Sequence, residues 1–383
     1  MKEIMRELKD FFRQADLLLL LLCCLASIYG LILISSAVRS FGNTSDFILV
    51  QSVAIILGIG VYIGLSLIDI ELITRQWKWL LLFNILFIMS LTVFGVTGDT
   101  GNRSWIRFGF IPGGVQPAEV VKITFVVLLA KQLSHNSEKG VSRISSVLSL
   151  ALHLVFMVGL IVAVSSDLGV ALIYVFIFLC MLFAAGVRLH WFVIAGVLVY
   201  LIWPYIWDNL LRSDQRDRIM IVFDPSIDPD NIGVGWQAAQ SKIAIGAGRI
   251  FGMGLYKGTQ IQYNDYLPAK HTDFIFAVAG EELGLIGCSV IVLLLSAIII
   301  RCIWVGLKSK DSTSTLICIG FAGMLVFQTF ENIGMCLGLT PIIGLTLPFF
   351  SYGGTSIITL FAAMGLVSSV KMHPLPPWRK YRT

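Results

Sequence analysis

The sequence predicts an all-α polytopic membrane protein with about ten transmembrane helices. Of its 383 residues, 57% are apolar and only 13% are charged. In an average soluble domain, about 45–50% of the residues are apolar and about 25% are charged. A spanning helix needs about 20 apolar residues, so this composition suffices for about ten. A soluble enzyme of this length would not bury so much apolar surface. The apolar runs also lack the alternation that outer-membrane barrel strands require.

Ten apolar segments follow one another along the chain, and we expect each to form a helix. The fourth is short and contains Lys122. The eighth is too long for an upright helix, and its first third holds two glutamates and three glycines. We therefore expect residues 274–287 to begin outside the lipid or to line a cavity. The ten segments run at about 16–37, 47–69, 78–95, 118–134, 146–165, 168–186, 190–208, 274–304, 314–339 and 347–370.

Loop charge predicts an N-in, C-in orientation. With the N-terminus inside, the inner ends and loops hold 17 Lys and Arg residues, and the outer loops hold ten, seven of them in one long loop. Without the long loop, the inner side holds 17 Lys and Arg residues and the outer side holds three, as the positive-inside rule requires. This bias explains the net charge of +5 without a nucleic-acid partner. The apolar run from Leu17 to Ser35 is too long for a cleavable signal peptide.

The long outer loop, at about 209–273 between helices 7 and 8, is too short for a second domain. We therefore expect residues 1–383 to form one integral-membrane domain. Within the loop, the spacing of Gln240–Gly248 predicts an amphipathic helix lying on the membrane. A second outer loop at 96–117 is polar and Gly-rich. The seven cysteines lie in or beside apolar segments without metal-ligand spacing, so we expect them to pack or to face lipid.

Ionisable residues within the membrane are costly, so they are candidate functional residues. Glu119 and Lys122 share one helix face, because they are spaced i, i+3. They form a structural ion pair, line a polar cavity, or do both. Asp167, between the fifth and sixth segments, is either a helix cap or a site residue. For Glu331 and Asn332, deep in the ninth segment, an interhelical hydrogen bond is the simpler interpretation.

The densest group of polar residues is Lys270-His271-Thr272-Asp273, where the long loop meets the eighth segment. A carboxylate at such a boundary can acquire the basicity of a general base, but Asp and Thr also favour a helix N-cap. Both hypotheses stay open for Asp273. The run 351–354, Ser-Tyr-Gly-Gly, is either a close-packed hinge or a backbone-lined anion site.

Nucleotide-binding and zinc-protease motifs are absent from the sequence. It contains no Walker A motif, no GxGxxG and no HExxH. This argues against ATP-driven transport and against a nucleotide cofactor.

Four stretches make the chain resemble the SEDS family of bacterial cell-wall polymerases, which includes RodA, FtsW and SpoVE. They are QPAE at 116–119, SDLG at 166–169, LPAKHTDFIF at 267–276 and LPFFSYGG at 347–354, and GEELG at 280–284 extends the match. Within the family the chain is most similar to the elongation branch, RodA, at 240–246, 258–260 and 332–335. It departs from the usual pattern at Ala118, where Ser is commoner, at Ala269, where an acid is usual, and at Arg249 and Met253.

The resemblance implies a peptidoglycan glycosyltransferase in the cytoplasmic (inner) membrane of a bacterium. It would polymerise lipid II, a disaccharide-peptide on undecaprenyl pyrophosphate, at the outer face for cell elongation and shape; division or sporulation are the alternative roles. Asp273 matches the catalytic aspartate of the family. The implied partner is a class B penicillin-binding protein, a transpeptidase. A divalent cation, Mg or Mn, is implied as an aid to catalysis, with no assigned ligands.

The lipid pyrophosphate needs positive charge, and we expect Arg103 and Lys242 to contact it. Arg103 lies in a Gly-rich loop beside Trp105, and Lys242 lies in the predicted amphipathic helix. The full set of expected substrate-binding residues is Arg103, Trp105, Gln116, Glu119, Lys122, Asp167, Lys242, Lys270, His271 and Ser351.

Two other classes of function compete with a polymerase. A lipid II flippase needs a polar path through both leaflets, whereas the polar candidates here cluster toward the outer side, which favours a polymerase. A scaffold that only recruits a transpeptidase would still support cell-wall synthesis after the substitution Asp273→Ala.

Overall fold

The structure is a computed structural model that describes residues 14–42, 44–96, 102–108, 111–229, 233, 235–262, 266–309 and 311–373. The basic residues at the two chain termini, which entered the charge count, lie outside the described residues. The helices are α1 Leu17–Ala37, α2 Thr44–Leu67, α3 Ile70–Arg75, α4 Trp77–Met89, α5 Leu91–Phe94, α6 Pro117–Lys139, α7 Ile144–Ser165, α8 Leu168–Ala184, α9 Leu189–Tyr205, α10 Ser213–Phe223, α11 Trp236–Gly248, α12 Thr259–Gln262, α13 Ile275–Lys308, α14 Ser312–Leu337 and α15 Gly354–Met372.

The predicted all-α membrane fold is confirmed, because each of the ten predicted segments coincides with a helix. Eight helical stretches in the described part are long and apolar enough to cross a membrane. The other two predicted spans are α8, with 17 residues, and α6, which carries the charged residues. Helix α9 has no buried residue and presents apolar side chains on all sides, as a helix facing lipid does. The count of ten crossings and the N-in orientation stay predictions.

Two boundaries differ from the prediction. Helix α15 begins at Gly354 rather than near 347, because 348–351 form a turn in which Phe349 adopts a φ of 66°. Helix α6 continues to Lys139, past the predicted 134, because helix formation does not stop where the apolar run ends.

The two outer loops contain regular structure. The 96–117 loop holds a three-stranded antiparallel sheet of β1 Gly95–Val96, β2 Trp105–Phe108 and β3 Ile111–Val115. Val96 pairs with Trp105, and Ile106 pairs with Val115. In the long loop, helix α11 confirms the helix predicted at Gln240–Gly248, and α10 was not predicted.

Helix α13 is interrupted within the stretch that the sequence marked as unusual. Gly284 has a φ of 64° and a ψ of −159°, so the helical hydrogen bonds stop there. The preceding loop supplies replacements: the Met253 N–H donates to the Glu281 carbonyl at 2.9 Å, and the Leu285 N–H donates to the Arg249 carbonyl at 2.9 Å. The long loop is therefore held against the beginning of α13.

The first and last spans meet at one end of the bundle. Asp16, fully buried before α1, pairs with Arg301 of α13 at 2.8 Å, and the Lys371 ammonium of α15 donates to the Ala15 carbonyl at 3.2 Å. The described part of the chain therefore begins and ends at the same end of the bundle. We call Asp16, Arg301 and Lys371 the terminal-end cluster.

Candidate active site

Asp273 ends a turn at the opposite end of α13 from the terminal-end cluster. Its N–H donates to the Ala269 carbonyl at 3.0 Å, and its own carbonyl accepts from the Asn332 amide nitrogen at 2.7 Å. The side chain is half-buried. Desolvation raises the pKa of Asp273 to about 6; a hydrogen bond from Thr272 opposes the rise, Asp167 adds to it, and Arg218 opposes it. A carboxyl with this pKa is ionised at neutral pH and still basic enough to accept a proton.

The segment Ile342–Leu345, between α14 and α15, brings the site together. The Ile342 carbonyl accepts from Nη1 of Arg218 at 3.3 Å. A Cβ at Gly344 would lie 3.4 Å from Oδ2 of Asp273. The Leu345 carbonyl accepts the second hydrogen bond of Asn332, at 2.7 Å. Four consecutive residues therefore fix α10, the Asp273 turn and α14 relative to one another.

The same segment also reaches Asp167. A Cβ at Gly169 would lie 2.8 Å from the Ile343 carbonyl oxygen, so only glycine allows this close approach. The cap hypothesis for Asp167 is confirmed, because its Oδ1 accepts from the Val170 N–H at 3.1 Å. Burial raises the pKa of this carboxyl. Asp167 is thus both a helix cap and a neighbour of Asp273.

The other oxygen of Asp167 joins the site to α6. Oδ2 accepts from Ser104 Oγ at 3.1 Å and from Gln116 Nε2 at 3.4 Å. One turn into α6, Lys122 Nζ lies 2.6 Å from Glu119 Oε1, and both side chains are less than 10% exposed. The predicted ion pair is confirmed. Glu119 raises and Lys122 lowers the pKa of Asp167 through their charges, so the pair also belongs to the surroundings of the site.

Lys270 and His271 lie on the other side of the turn from Asp273. Lys270 Nζ donates to Ser40 Oγ at 2.7 Å and to the Ile261 carbonyl. Burial lowers its pKa to about 8, although Glu281 opposes this shift. The His271 ring packs against Phe41, Phe47 and Tyr352. Burial, with the nearby Lys270, lowers the pKa of His271 to about 4, so the ring is neutral at physiological pH.

Ser351 is a structural residue of the site. Its hydroxyl donates to the Thr272 carbonyl and accepts from the Leu347 N–H at 2.8 Å. It therefore holds the turn before α15 against the Asp273 turn. The next glycine is also engaged, because the Gly353 N–H donates to Gln51 Oε1 at 3.1 Å. These contacts favour the close-packed hinge over the backbone-lined anion site.

The two cations predicted to contact pyrophosphate have different surroundings. The Arg103 guanidinium donates to the carbonyls of Gly95 and Thr92, each at 3.2 Å, and its neighbour Ser104 contacts Asp167. Lys242 is exposed, and its side chain lies against Gly338 at the end of α14. Trp105 is half-buried in β2. The substrate contacts of Arg103, Trp105 and Lys242 stay predictions.

The predicted divalent cation also stays a prediction. Within the described ranges, His, Cys, Asp and Glu residues do not gather in a group of three that would hold a metal ion.

Sequence reasoning missed one charged residue of the site, Arg218. It lies in the long loop, among the seven Lys and Arg residues counted there. Its only local signal is the run of three arginines within seven residues, 212–218, and its contact with Ile342 joins positions more than a hundred residues apart.

These features define a polytopic membrane protein whose buried acidic site lies at one end of the bundle. The chain matches the FtsW, RodA and SpoVE family model, described as "Cell cycle protein", over residues 16–374. It is 35% identical over 295 residues to the peptidoglycan glycosyltransferase MrdB of Escherichia coli, covering 77% of each chain. It is 34% identical to the stage V sporulation protein E of Bacillus subtilis, covering 94% of this chain and 97% of that one. The chain belongs to this family.

Solved structures agree with the sequence comparison. A chain of a peptidoglycan synthase complex, described as coordinating polymerization and crosslinking, superimposes with a TM-score of 0.76 at 30% identity and covers 93% of this chain and 97% of that one. The rod shape determining protein RodA of Thermus thermophilus superimposes with a TM-score of 0.65 at 26% identity, covering 93% and 96%.

Proposed function

We propose that the chain is a peptidoglycan glycosyltransferase that polymerises lipid II at the outer face of the bacterial cytoplasmic membrane. The observation that carries the proposal is the convergence of Asp273, Asp167 and Arg218 on residues 342–345. Relatives named peptidoglycan glycosyltransferase support the activity. The similarity to RodA supports a role in elongation. A lipid-linked substrate also explains why the site is built on membrane helices.

In the proposed reaction, Asp273 acts as the general base. It accepts the proton of the acceptor sugar's 4-hydroxyl as that oxygen attacks the anomeric carbon of the donor. The bond from this carbon to the pyrophosphate oxygen breaks, and the electron pair leaves with undecaprenyl pyrophosphate. Asp273 then releases the proton to solvent, which its partly exposed side chain can reach. Asn332 and the 342–345 segment hold the carboxylate in place.

The partner that we propose is a class B penicillin-binding protein, which would crosslink the new strands. The support is the similarity to a chain of a complex that couples polymerization and crosslinking.

The distribution of polar side chains separates this function from a flippase. Asp273 and its charged neighbours lie at one end of the bundle. The opposite end holds the terminal-end cluster, whose buried carboxylate is already paired with two cations. A polar path through both leaflets would need open polar groups at both ends.

The decisive experiment is polymerisation of purified lipid II by the detergent-solubilised protein, with and without its cognate transpeptidase. We expect glycan strands from the wild type and background levels from Asp273→Asn, because the amide keeps the size of the side chain but cannot accept the proton. Asp46→Asn, which changes an exposed carboxylate at the start of α2, is the matched control and should stay active.

Equal melting temperatures for the three proteins would show that Asp273→Asn is folded. Near-normal strand synthesis by Asp273→Asn would falsify the catalytic assignment. Transport of lipid II across vesicles by a wild-type protein that makes no strands would support the flippase instead.

A further inference from the structure

Arg218 has no role in the reaction as described so far, although this charged residue of α10 reaches the site. Its side chain is half-buried, and one N–H donates to the Ile342 carbonyl at 3.3 Å. A guanidinium has five N–H donors in a planar fork, and the described contacts use one of them. The charge is held at the site and is not consumed by a carboxylate.

The place of Arg218 relative to Asp273 follows from the 342–345 segment. Arg218 contacts residue 342, and Asp273 contacts residue 344. Two residues of extended chain span at most about 7 Å, so both groups lie along one short stretch of backbone. Within the described part of the chain, neither Asp273 nor Asp167 forms an ion pair with a lysine or arginine.

The other basic residues expected at the site are engaged elsewhere, neutral or exposed. Lys122 is paired with a buried carboxylate. Lys270 is directed away from Asp273, and His271 is neutral at physiological pH. Arg103 already donates to two backbone carbonyls, and Lys242 is exposed beside the end of α14. Of the cations compared, Arg218 is therefore the best placed for an anion that enters beside Asp273.

We propose that Arg218 binds the pyrophosphate of the lipid-linked donor and stabilises it as the leaving group. The inference rests on the proposed function. When the bond between the anomeric carbon and the pyrophosphate oxygen breaks, the electron pair stays on that oxygen, and its negative charge grows. A planar guanidinium donates two parallel hydrogen bonds to phosphate, and it stabilises this charge where it develops.

Binding and catalysis are measured separately to test this role. The affinity of the detergent-solubilised protein for undecaprenyl pyrophosphate is determined for the wild type, Arg218→Gln and Arg218→Lys, with undecaprenol as the ligand that lacks phosphate. Lipid II polymerisation gives kcat and KM for the same proteins. Arg212→Gln is the matched control, because Arg212 lies just before the same helix and pairs with Asp214 at 3.2 Å on the surface.

We expect Arg218→Gln to weaken undecaprenyl pyrophosphate binding roughly ten- to hundredfold, the range of a charge-assisted hydrogen bond. Arg218→Lys should recover part of this loss, because it keeps the charge but not the planar fork. Affinity for undecaprenol should stay unchanged, and Arg212→Gln should match the wild type. The value of kcat should fall with Arg218→Gln, because the contact strengthens as the leaving group departs.

Wild-type affinity for undecaprenyl pyrophosphate in both Arg218 variants would overturn the inference while leaving the polymerase proposal intact. If Arg218→Gln does not fold, Arg218→Lys decides: affinity equal to the wild type overturns the inference, and a partial loss supports it. A wild-type protein that binds undecaprenyl pyrophosphate through Arg218 but makes no glycan would contradict the proposed function alone. Arg103→Ala and Lys242→Ala, measured in the same assay, test the two pyrophosphate contacts expected from the sequence.

Discussion

The two ends of the bundle each bury an aspartate, but the aspartates have opposite surroundings. At the terminal end, Asp16 is fully buried, and its carboxylate faces Arg301 at 2.8 Å and Lys371 at 3.8 Å. Its backbone N–H donates to Ser368, and its carbonyl accepts from Tyr62. At the other end, the side chain of Asp273 is half-buried and forms no ion pair with a Lys or Arg among the described residues.

The same fold therefore uses an aspartate side chain for two purposes. A buried carboxylate with partners on several helices holds those helices together, and removing a partner is costly because a charge is stranded. A carboxylate that desolvation makes more basic, and that keeps a path to solvent, is available for proton transfer. We therefore expect substitutions at the terminal end to change stability and substitutions at Asp273 to change activity.

The largest stability effect should come from the ion pair that the active site itself contains. Glu119→Ala leaves the Lys122 ammonium almost fully buried without its partner, which costs about 3–5 kcal/mol. The free energy of unfolding in detergent, or the melting temperature with expression level, measures this loss.

The double substitution shows whether the pair is also functional. We expect Glu119→Ala with Lys122→Ala to recover part of the stability and none of the activity, because the charges beside Asp167 remain absent. Recovery of both stability and polymerisation would mean that the pair is purely structural.

At the terminal end, we expect Asp16→Ala to lower stability by a smaller amount. The loss is about 1.5–3 kcal/mol, the value of a hydrogen bond to a charged group, because the side chains of Arg301 and Lys371 are 17% and 36% exposed and can be hydrated. Activity per folded molecule should equal that of the wild type. Thermal melting and lipid II polymerisation on the same sample separate the two quantities, and a folded variant that polymerises poorly would show that the two ends are coupled.

The sequence predicted the helices well because each predicted segment is a long, mostly apolar run, a local composition that favours a bilayer-crossing helix. It also marked the break in α13, because glycines and glutamates interrupt an apolar run. The predicted start of α15 was wrong. Leu347, Phe349 and Phe350 are as apolar as the residues of a span, yet they bury their side chains in a turn.

The site was predicted only in part, because the sequence shows local patterns but not contacts between distant residues. Glu119 with Lys122 and Asp167 with its cap are local patterns, so spacing was enough to find them. The direction of a side chain within a turn is not encoded in a local pattern. The sequence therefore grouped Lys270 and His271 with Asp273, although they lie on the other side of the turn. Arg218 depends on a contact with Ile342 that only the folded chain creates.

The smallest expected effect concerns the pH dependence of activity. Because desolvation raises the pKa of Asp273 to about 6, with Asp167 adding to the shift and Thr272 and Arg218 opposing it, kcat/KM should fall about tenfold per pH unit below 6 and level off above it. The effect of pH on stability runs in the opposite direction. Asp273 has a higher pKa in the folded protein than its unfolded value of about 4, so its contribution to stability is fully present below pH 4 and is lost as pH rises through 6. Acidification from pH 7 to 5 should therefore lower kcat/KM reversibly by about tenfold, without destabilisation from Asp273. Activity and melting temperature measured across this range check the prediction. An activity loss that follows unfolding would contradict it, as would a profile that stays flat down to pH 5.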